Sequence, residues 1–283
     1  MYTDTISQFY EDTLFIIVIY NCEISQSETF QSLCKSTSSQ RSKDIFIYDN
    51  SPFPQPMPQH GETIYYHHNS LNAGVSAGYN KGFEKAKELG KRWLLLLDQD
   101  SLFDVGNLEK YAESIALHPD IRAFAPLIKS ERGLLSPFKV VGGKGIRIKA
   151  RQPGAHFFRP VHVINSGLLI ACSLFEAAGG YNELFPLDFS DVAFIKRLSA
   201  IDRRFVLIDM TLIHSLSSEN DRHSSTKQVF DRFDKFCKAA KLFKKTNKEL
   251  VILGIVILPR AIKLTLIKKE VRFLVVALRT LFN

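Results

Sequence analysis

The sequence predicts an α/β fold, a sandwich built on a mainly parallel central sheet and followed by C-terminal amphipathic helices. Strand-like and helix-like segments alternate through the first 220 residues, which is the pattern of parallel strands joined by crossover helices. Four consecutive leucines at 94–97 lack polar alternation, as expected of a strand buried on both faces. After a polar segment at 217–225 the pattern changes to basic, apolar helices. We therefore expect a body over residues 1–220 and a helical tail over residues 221–283.

The first half of the body carries the clearest elements. Hydrophobic runs predict strands at residues 14–20, 44–49, 63–67 and 93–98. A Ser25-x-x-Glu28 capping box predicts a helix that ends near residue 36, and helical periodicity predicts further helices at 75–89 and 108–117. The proline-rich residues 51–61 predict a surface loop.

The second half of the body is less regular. Apolar runs predict strands at residues 122–128, 161–171 and 206–209. A glycine- and lysine-rich stretch at 142–154 lies between the first two, and we expect it to be mobile.

Composition and charge restrict the class of protein. The chain has 283 residues, of which 45% are hydrophobic, enough for a substantial core. Residues 221–283 hold 15 Lys/Arg against 5 Asp/Glu, whereas the first 220 residues hold 22 against 24. A basic excess confined to an apolar tail favours an anionic membrane surface over nucleic acid as the partner. The four cysteines form no CxxC pair and no secretory signal is evident, so we expect a cytoplasmic protein.

Two carboxylates follow the leucine strand. Side chains in extended backbone alternate, so Asp98 and Asp100 project to one side and Gln99 to the other. Ligands of open α/β sheets gather at the carboxyl ends of the strands. Two carboxylates at this spacing can share one Mg²⁺ or Mn²⁺ ion that neutralises a diphosphate. The alternative is a polar exit from the strand without a metal.

A glycine-rich segment, NAGVSAGYNKG at 72–82, opens the helix predicted at 75–89. Its glycines allow the backbone to approach a ribose or phosphate closely at the start of a helix. The same glycines could instead serve only to pack the helix against the sheet. The residues alone leave both interpretations open.

The remaining candidates are acidic residues and one histidine. Asp49 ends a strand in DNSP, where a turn-forming role is the simpler interpretation and contact with a ligand the alternative. Asp188 and Asp191 precede a helix, where acidic residues suit the helix dipole but one could also be a general base. His214 follows the last predicted strand and could be structural or a metal ligand.

Taken in order, these segments resemble the family-2 glycosyltransferases with the GT-A fold. The resemblance covers residues 14–216 and rests on IIVIYNC, IYDNSP, NAGVSAGYNKG, LLLLDQD and INSGLLIACSLFEAAGGYNELF. A last segment, FPLDFSDVAFIKRL, is most similar to rhamnosyltransferase-like members. The implied fold is a GT-A-type Rossmann-like sandwich.

The resemblance implies a role for each candidate residue. Asp49 would contact a pyrimidine base, Asp98 would lie near the ribose or donor sugar and the metal, and Asp191 would be the general base, with Asp188 in reserve. Asp100 and His214 would complete the metal site. The implied donor-binding residues are Tyr20, Asn21, Asp49, Asn72, Gly74, Asn80 and Asp98.

The resemblance also implies the reaction: inverting, metal-dependent transfer of one sugar from dTDP-rhamnose or a UDP-hexose. No Gln-x-x-Arg-Trp string of processive synthases occurs. The acceptor would be an oligosaccharide or lipid-linked glycan of bacterial surface polysaccharide synthesis, such as O-antigen. One rival is a sugar nucleotidyltransferase, although NCEISQSE replaces the glycine-rich basic loop expected after its first strand. The other is a non-catalytic nucleotide-sugar-binding module, which Ala193 would suit, because the family often has an acidic residue there.

The tail predicts peripheral membrane association. The apolar run at 251–258 has eight residues before Pro259, whereas a spanning helix needs about 20. Residues 264–282 interleave apolar side chains with cations, which suits a helix lying in the interface at the inner face of the plasma membrane. The alternative is that the tail packs on the body.

Overall fold

The computed structural model describes residues 2–35, 42–59, 61–131, 133–141, 144–149, 151–214, 225–243 and 247–282. The helices are α1 (Tyr2–Asp12), α2 (Glu28–Lys35), α3 (Val75–Glu88), α4 (Asn107–Leu117), α5 (Cys172–Ala177), α6 (Ser190–Ile201), α7 (Thr226–Phe243), α8 (Asn247–Lys268) and α9 (Arg272–Phe282). The strands are β1 (Thr13–Ile19), β2 (Asp44–Asp49), β3 (Thr63–His68), β4 (Trp93–Asp98), β5 (Ser101–Leu102), β6 (Ala123–Ser130), β7 (Gly133–Ser136), β8 (Phe138–Val141), β9 (Lys144–Arg147), β10 (Gly154–Phe157), β11 (Val161–His162), β12 (Leu168–Ala171) and β13 (Arg204–His214).

The predicted α/β class is confirmed by one large sheet. Its strands run in the order β10-β13-β6-β12-β4-β1-β2-β3, with β5 paired to β13 and β7 paired to β6. The adjacent pairs β3–β2, β2–β1 and β1–β4 are parallel, and so is the pair β6–β13. Strand β12 is antiparallel to both β4 and β6. A separate small sheet has the order β11-β8-β9.

This topology brings many strand ends to one edge. Strand β12 lies between β4 and β6 and is antiparallel to both, so β4 and β6 run in the same direction. The carboxyl ends of β1, β2, β4 and β13 therefore lie along one edge, where ligands of α/β sheets gather. Residues 165–167, which lead into β12, lie at that edge too, since Gly167 N donates to Leu96 O.

The buried strands explain why the body folds this way. Strand β1 is buried along its whole length, and Leu94–Leu97 of β4 are fully buried. Helix α3 covers β1 and β2 through small residues. A Cβ at Gly78 would lie 2.7 Å from Val18 Cγ2, and one at Gly82 would lie 2.5 Å from Ile16 Cδ1. These two glycines allow the helix to pack closely on the sheet, which agrees with the packing interpretation of the glycine-rich segment.

Several local predictions need correction. Ser25 does not cap α2; the side chain of Ser27 does, because its Oγ accepts from Phe30 N at 3.2 Å. The strand predicted at 161–171 is split between β11 in the small sheet and β12 in the large one. Part of the stretch expected to be mobile forms β9, and β10 begins at its last residue. Strand β13 is longer than predicted and includes His214.

The sequence analysis also missed helix α1. Its buried residues Ile6, Phe9 and Tyr10 join the main core, and the Phe9 ring stacks on Tyr111 of α4 with centroids 6.2 Å apart. Short polar interruptions hide its amphipathic pattern in the sequence.

The tail forms three helices with their own core. Buried residues of α7, α8 and α9 pack together, among them Phe233, Ile257 and Phe273, and Phe189 of the body packs against this cluster. Helix α8 continues through Pro259, which was expected to interrupt it, and the interfacial helix expected over 264–282 is divided between α8 and α9. No helix in the described residues has the length and apolar character needed to cross a bilayer. The predicted boundary at 217–225 lies, except for Ser225, outside the described residues.

Candidate active site

The acidic pair after β4 meets His214 from β13. Antiparallel pairing of β5 with the end of β13 places His214 opposite Ser101, one residue after Asp100. One potential ligand atom from each of Asp98, Asp100 and His214 lies within 4.8 Å of the others. Two carboxylates and one imidazole at this separation can converge on a single divalent cation. The sequence prediction that Asp98 and Asp100 project to the same side is consistent with this geometry.

Hydroxyl groups hold the cluster in place. Tyr79 Oη donates to Asp98 Oδ1 at 2.9 Å. His214 Nδ1 lies 3.0 Å from Ser101 Oγ and 3.5 Å from Asp100 Oδ1. Ser101 Oγ in turn lies 2.6 Å from Ser166 Oγ. Such partners orient the ligating groups before a cation binds, which lowers the cost of binding.

The electrostatics of Asp100 also favour a cation. Burial raises the pKa of the Asp100 carboxyl, the neighbouring His214 lowers it in part, and the charge of Asp98 raises it further. Two close, partly buried carboxylates repel each other without a counter-ion. A divalent cation between them would remove that repulsion.

Asp191 lies in the first turn of α6. Burial raises the pKa of its carboxyl to about 6, a hydrogen bond from Val192 N lowers it in part, and Asp98 and Asp188 raise it further. The charge of Asp98 therefore acts on the Asp191 carboxyl through space. A carboxylate with a pKa near the operating pH is suited to accept a proton.

Aromatic and amide groups connect Asp191 to the metal-ligating cluster. Tyr79 and Tyr181 have ring centroids 5.2 Å apart. Tyr181 Oη donates to Asn165 Oδ1 at 2.7 Å, and Asn165 Nδ2 donates to Ser190 Oγ at 3.2 Å. Ser190 is the neighbour of Asp191, so this chain of contacts runs from Asp98 to the start of α6.

Asp188 lies close to the tail. Its Oδ1 lies 4.0 Å from Arg260 Nη1 of α8. Burial raises the pKa of Asp188, and Arg260 and Arg232 oppose that rise. Asp188 has an ion-pair partner in the tail, whereas Asp191 follows Ser190, which the contact chain links to Asp98. These contacts favour Asp191 over Asp188 as a base.

Tyr20, Asn21 and Asp49 lie at the ends of β1 and β2. Tyr20 N donates to Gln99 Oε1 at 2.7 Å, and Asn21 N donates to Ser51 Oγ at 2.9 Å. These contacts place both residues at the same edge as the acidic pair. Tyr20 is 42% exposed, so its ring is free to contact a ligand.

The carboxylate of Asp49 already has three hydrogen bonds. It accepts from Ser51 N at 2.8 Å, from Gln55 N at 3.0 Å and from Tyr66 Oη at 2.6 Å. Burial raises the pKa of Asp49, but these bonds outweigh burial and lower it overall. Asp49 therefore organises the turn after β2, and its contact with a base stays a prediction.

The glycine-rich segment packs against other loops of the protein. A Cβ at Gly74 would lie 2.1 Å from Pro186 O, and its φ of 92° suits only glycine well. Asn80 Nδ2 donates to Tyr181 O at 3.0 Å, and Asn80 Oδ1 accepts from Tyr181 N at 2.7 Å. Gly74 and Asn80, predicted to bind the donor, thus support neighbouring loops. Asn72 is the first residue of the segment and has φ of 50°. Its contact with the donor stays a prediction.

The sequence analysis did not single out five residues that shape the site. They are Tyr79, Ser101, Asn165, Ser166 and Tyr181. Tyr79, Asn165, Ser166 and Tyr181 lie inside the motifs that carried the resemblance, so the signal was available. Only the structure shows that their side chains converge.

Together, the fold and the site define a GT-A-type glycosyltransferase, in which a sheet edge combines a metal-competent acidic cluster with a partly buried carboxylate. The chain belongs to glycosyl transferase family 2, whose family model matches residues 14–158. It is therefore an enzyme of the glycosyltransferase class, and the nucleotidyltransferase alternative is set aside. No curated protein sequence matches the chain significantly.

Solved structures with the same fold are distant in sequence. S. aureus TarS 1-349 in complex with UDP aligns with a TM-score of 0.52 and 12% identity, covering 81% of this chain and 65% of that chain. TarS 1-349 alone aligns with a TM-score of 0.55 and 12% identity over 86% and 79%. GalNAc-T7 with UDP, GalNAc and Mn²⁺ aligns with a TM-score of 0.53 and 15% identity over 81% and 47%. The chain thus spans less than two thirds of the first and last of these structures, and the likeness establishes the fold.

Proposed function

We propose that this enzyme transfers one sugar from a nucleoside-diphosphate sugar to a hydroxyl group of a glycan acceptor, with inversion at the anomeric carbon. The observation that carries the proposal is the cluster of Asp98, Asp100 and His214, together with the chain of contacts through Tyr79, Tyr181 and Asn165 that links it to Ser190, the neighbour of Asp191. One part of the site can hold the charge of a leaving diphosphate and the other can accept a proton from the attacking hydroxyl. Direct displacement of the diphosphate by the acceptor hydroxyl needs both a stabilised leaving group and a base.

Each group in the site has a specific task. Asp191 accepts the proton of the acceptor hydroxyl while its oxygen forms the new bond to the anomeric carbon. The bond from that carbon to the diphosphate oxygen breaks, and its electron pair stays on the diphosphate. A divalent cation held by Asp98, Asp100 and His214 supplies charge stabilisation to that leaving group when bound. Tyr79, Ser101 and Ser166 keep the ligating side chains oriented.

The cation is Mg²⁺ or Mn²⁺. Carboxylate oxygens suit both ions, whereas an imidazole nitrogen suits Mn²⁺ better than Mg²⁺, which prefers oxygen ligands in strict octahedral geometry. The presence of His214 in the cluster therefore favours Mn²⁺. GalNAc-T7, a distant structural neighbour, has been solved with Mn²⁺, which is consistent with this choice.

The donor is a pyrimidine nucleoside-diphosphate sugar. Neighbours with this fold have been solved with UDP and with UDP-GlcNAc, which supports a UDP-hexose. The segment 185–198 instead resembles rhamnosyltransferases, which supports dTDP-rhamnose. The site offers the same metal-ligating cluster to either diphosphate, so a direct comparison of the two donors is the decisive measurement.

A thermal-shift screen tests this proposal. A donor present at 100 times its dissociation constant stabilises the native state by about 2.7 kcal/mol. We expect dTDP-rhamnose or a UDP-hexose to raise the Tm by roughly 5 °C or more with Mn²⁺ and much less with EDTA. The same donor should release nucleoside diphosphate when acceptor is added. Binding without any release over a panel of glycan acceptors would identify a non-catalytic binding module instead.

We further propose that the acceptor is lipid-linked and that the enzyme works at the inner face of the plasma membrane, in synthesis of a surface polysaccharide such as O-antigen. Helices α8 and α9 support this, because their outward side combines apolar and cationic side chains. Leu266 is 73% exposed and Phe282 is 81% exposed. Lys263, Lys269 and Arg279 are exposed on the same two helices or the turn between them. Such a surface binds the boundary between acyl chains and anionic head groups.

Vesicle sedimentation tests the membrane proposal. Burying a leucine or phenylalanine side chain contributes about 1.5–3 kcal/mol, so the double variant Leu266→Glu/Phe282→Glu should bind anionic vesicles at least tenfold more weakly. The control variant Val105→Glu/Leu117→Glu changes two similarly exposed apolar residues of the body and should bind like the wild type. A wild-type protein that ignores anionic vesicles at low salt would contradict the proposal.

A further inference from the structure

The segment 185–191, which carries Asp191, is held on two sides. On the first side it contacts the start of helix α3. Phe185 O accepts from Ser76 Oγ at 2.6 Å, and Pro186 O accepts from Val75 N at 2.7 Å. Gly74 packs so closely against Pro186 that a Cβ at position 74 would collide with the carbonyl oxygen of Pro186. The start of helix α3 thus fixes the beginning of the segment.

On the second side the segment contacts the tail. The ring of Phe189 stacks on Phe236 and Phe243 of α7, with centroid distances of 5.6 and 5.2 Å. Phe189 has φ of 65°, an uncommon conformation for a bulky residue that persists where the surroundings hold it. The carbonyl of Phe189 accepts from Ala193 N, so its conformation sets the start of α6.

An ion pair reinforces the aromatic contacts. Asp188 lies 4.0 Å from Arg260 of α8, and the Arg260 guanidinium lies 4.5 Å from the centre of the Phe236 ring. Arg260 therefore touches both the segment and the aromatic residue on which Phe189 stacks. A single tail residue links the two sets of contacts.

We infer that helices α7 and α8 position the segment carrying the general base, and that Arg260, through Asp188 and Phe236, is a positioning residue for sugar transfer. This inference rests on the proposed function, with Asp191 as the base. Removing the guanidinium would break the ion pair with Asp188 and its contact with the Phe236 ring, and so free the segment to shift. A misplacement of a reacting group by about 1 Å can cost on the order of a hundredfold in rate. The tail is then part of the catalytic apparatus as well as a membrane-binding surface.

Steady-state kinetics on the full-length chain test the inference. We expect Arg260→Met to lower kcat by about tenfold to a hundredfold, with the donor KM and the number of donor-binding sites within about twofold of wild type. Arg260→Lys, which keeps the charge, should recover part of the lost kcat. Asp188→Asn should resemble Arg260→Met, and the double variant should be no slower than the slower single variant, because both remove one interaction. The control Lys238→Met removes an exposed cation of α7 that pairs with Asp234 and should not change kcat.

The outcomes separate this inference from the proposed function. If wild-type enzyme transfers sugar but Arg260→Met and Asp188→Asn keep normal kcat, the positioning role is wrong and the proposed function stands. A parallel loss of donor binding and kcat would show a general structural role and also overturn the inference. If Arg260→Met does not fold, Asp188→Asn and Arg260→Lys test the inference instead. A lowered kcat with unchanged donor binding in Asp188→Asn would support the positioning role, and a normal kcat in Asp188→Asn would contradict it. Absence of transfer by the wild type with every donor and acceptor would instead refute the proposed function.

Discussion

Replacing Asp100 with alanine is expected to lower sugar transfer by about a thousandfold or more while leaving the fold intact. Asp100 lies beyond the end of β4, so its loss removes no core contact. It does remove one of three groups that can hold the cation. Loss of that charge stabilisation should cost several kcal/mol of activation free energy. The measurement is kcat at saturating donor and acceptor with Mn²⁺ present.

Two further measurements make this result specific to the metal. Calorimetric titration should show strong Mn²⁺ binding to the donor complex of the wild type and little to Asp100→Ala. The control Asp104→Ala changes an exposed acidic residue of the following loop and should retain normal turnover. Near-normal transfer by Asp100→Ala would mean that the cation site has been assigned to the wrong residues.

Replacing Asp191 with asparagine is expected to abolish transfer and to spare donor binding. An amide has nearly the same shape as a carboxyl group but cannot accept the proton of the acceptor hydroxyl. General-base catalysis contributes typically a hundredfold to ten-thousandfold, and we expect a loss in that range. Donor affinity measured by thermal shift should stay within about twofold, because the base acts on the acceptor side.

The pH dependence of the wild type provides an independent check. Burial raises the pKa of Asp191 to about 6, and only the deprotonated form can act as a base. Activity at saturating Mn²⁺ should therefore fall about tenfold per pH unit below 6 and level off above it. Asp188→Asn serves as the comparison, and it should lose less activity than Asp191→Asn. Full activity of Asp191→Asn combined with an inactive Asp188→Asn would exchange the two roles.

Much of the body could be predicted from local sequence. Strands β1, β2 and β4 are buried runs of branched and aliphatic residues, and their bounds agree with the hydrophobic pattern within about one residue. Helix α4 was also located closely. These elements are readable because burial on both faces leaves a continuous apolar signal. The short strands β7 to β10 were missed, since they are partly exposed and resemble loops in composition.

The candidate site was predictable only in part. The spacing of Asp98 and Asp100 predicts that both side chains face one way, because that depends on the strand alone. Nothing in the local pattern places His214 or Asp191 near them. Both residues were candidates from their own positions in the chain, and the family resemblance then implied that they belong to the same site. The hydrogen bonds between the Asn80 amide and the backbone of Tyr181 were likewise not predictable from the local pattern, and donor contact by Asn80 stays a prediction.

The sequence by itself determined the class of fold, the acidic pair at the end of β4 and the separation of a basic helical tail from a near-neutral body. Each of these depends on residues that are neighbours along the chain, where periodicity and charge act directly. Only the tertiary structure decided that His214 meets Asp98 and Asp100 and that Arg260 of the tail reaches Asp188. These groups are up to 116 positions apart along the chain, the separation of His214 from Asp98. Their contacts depend on how strands order themselves and helices pack, which is a property of the whole core and not of any segment.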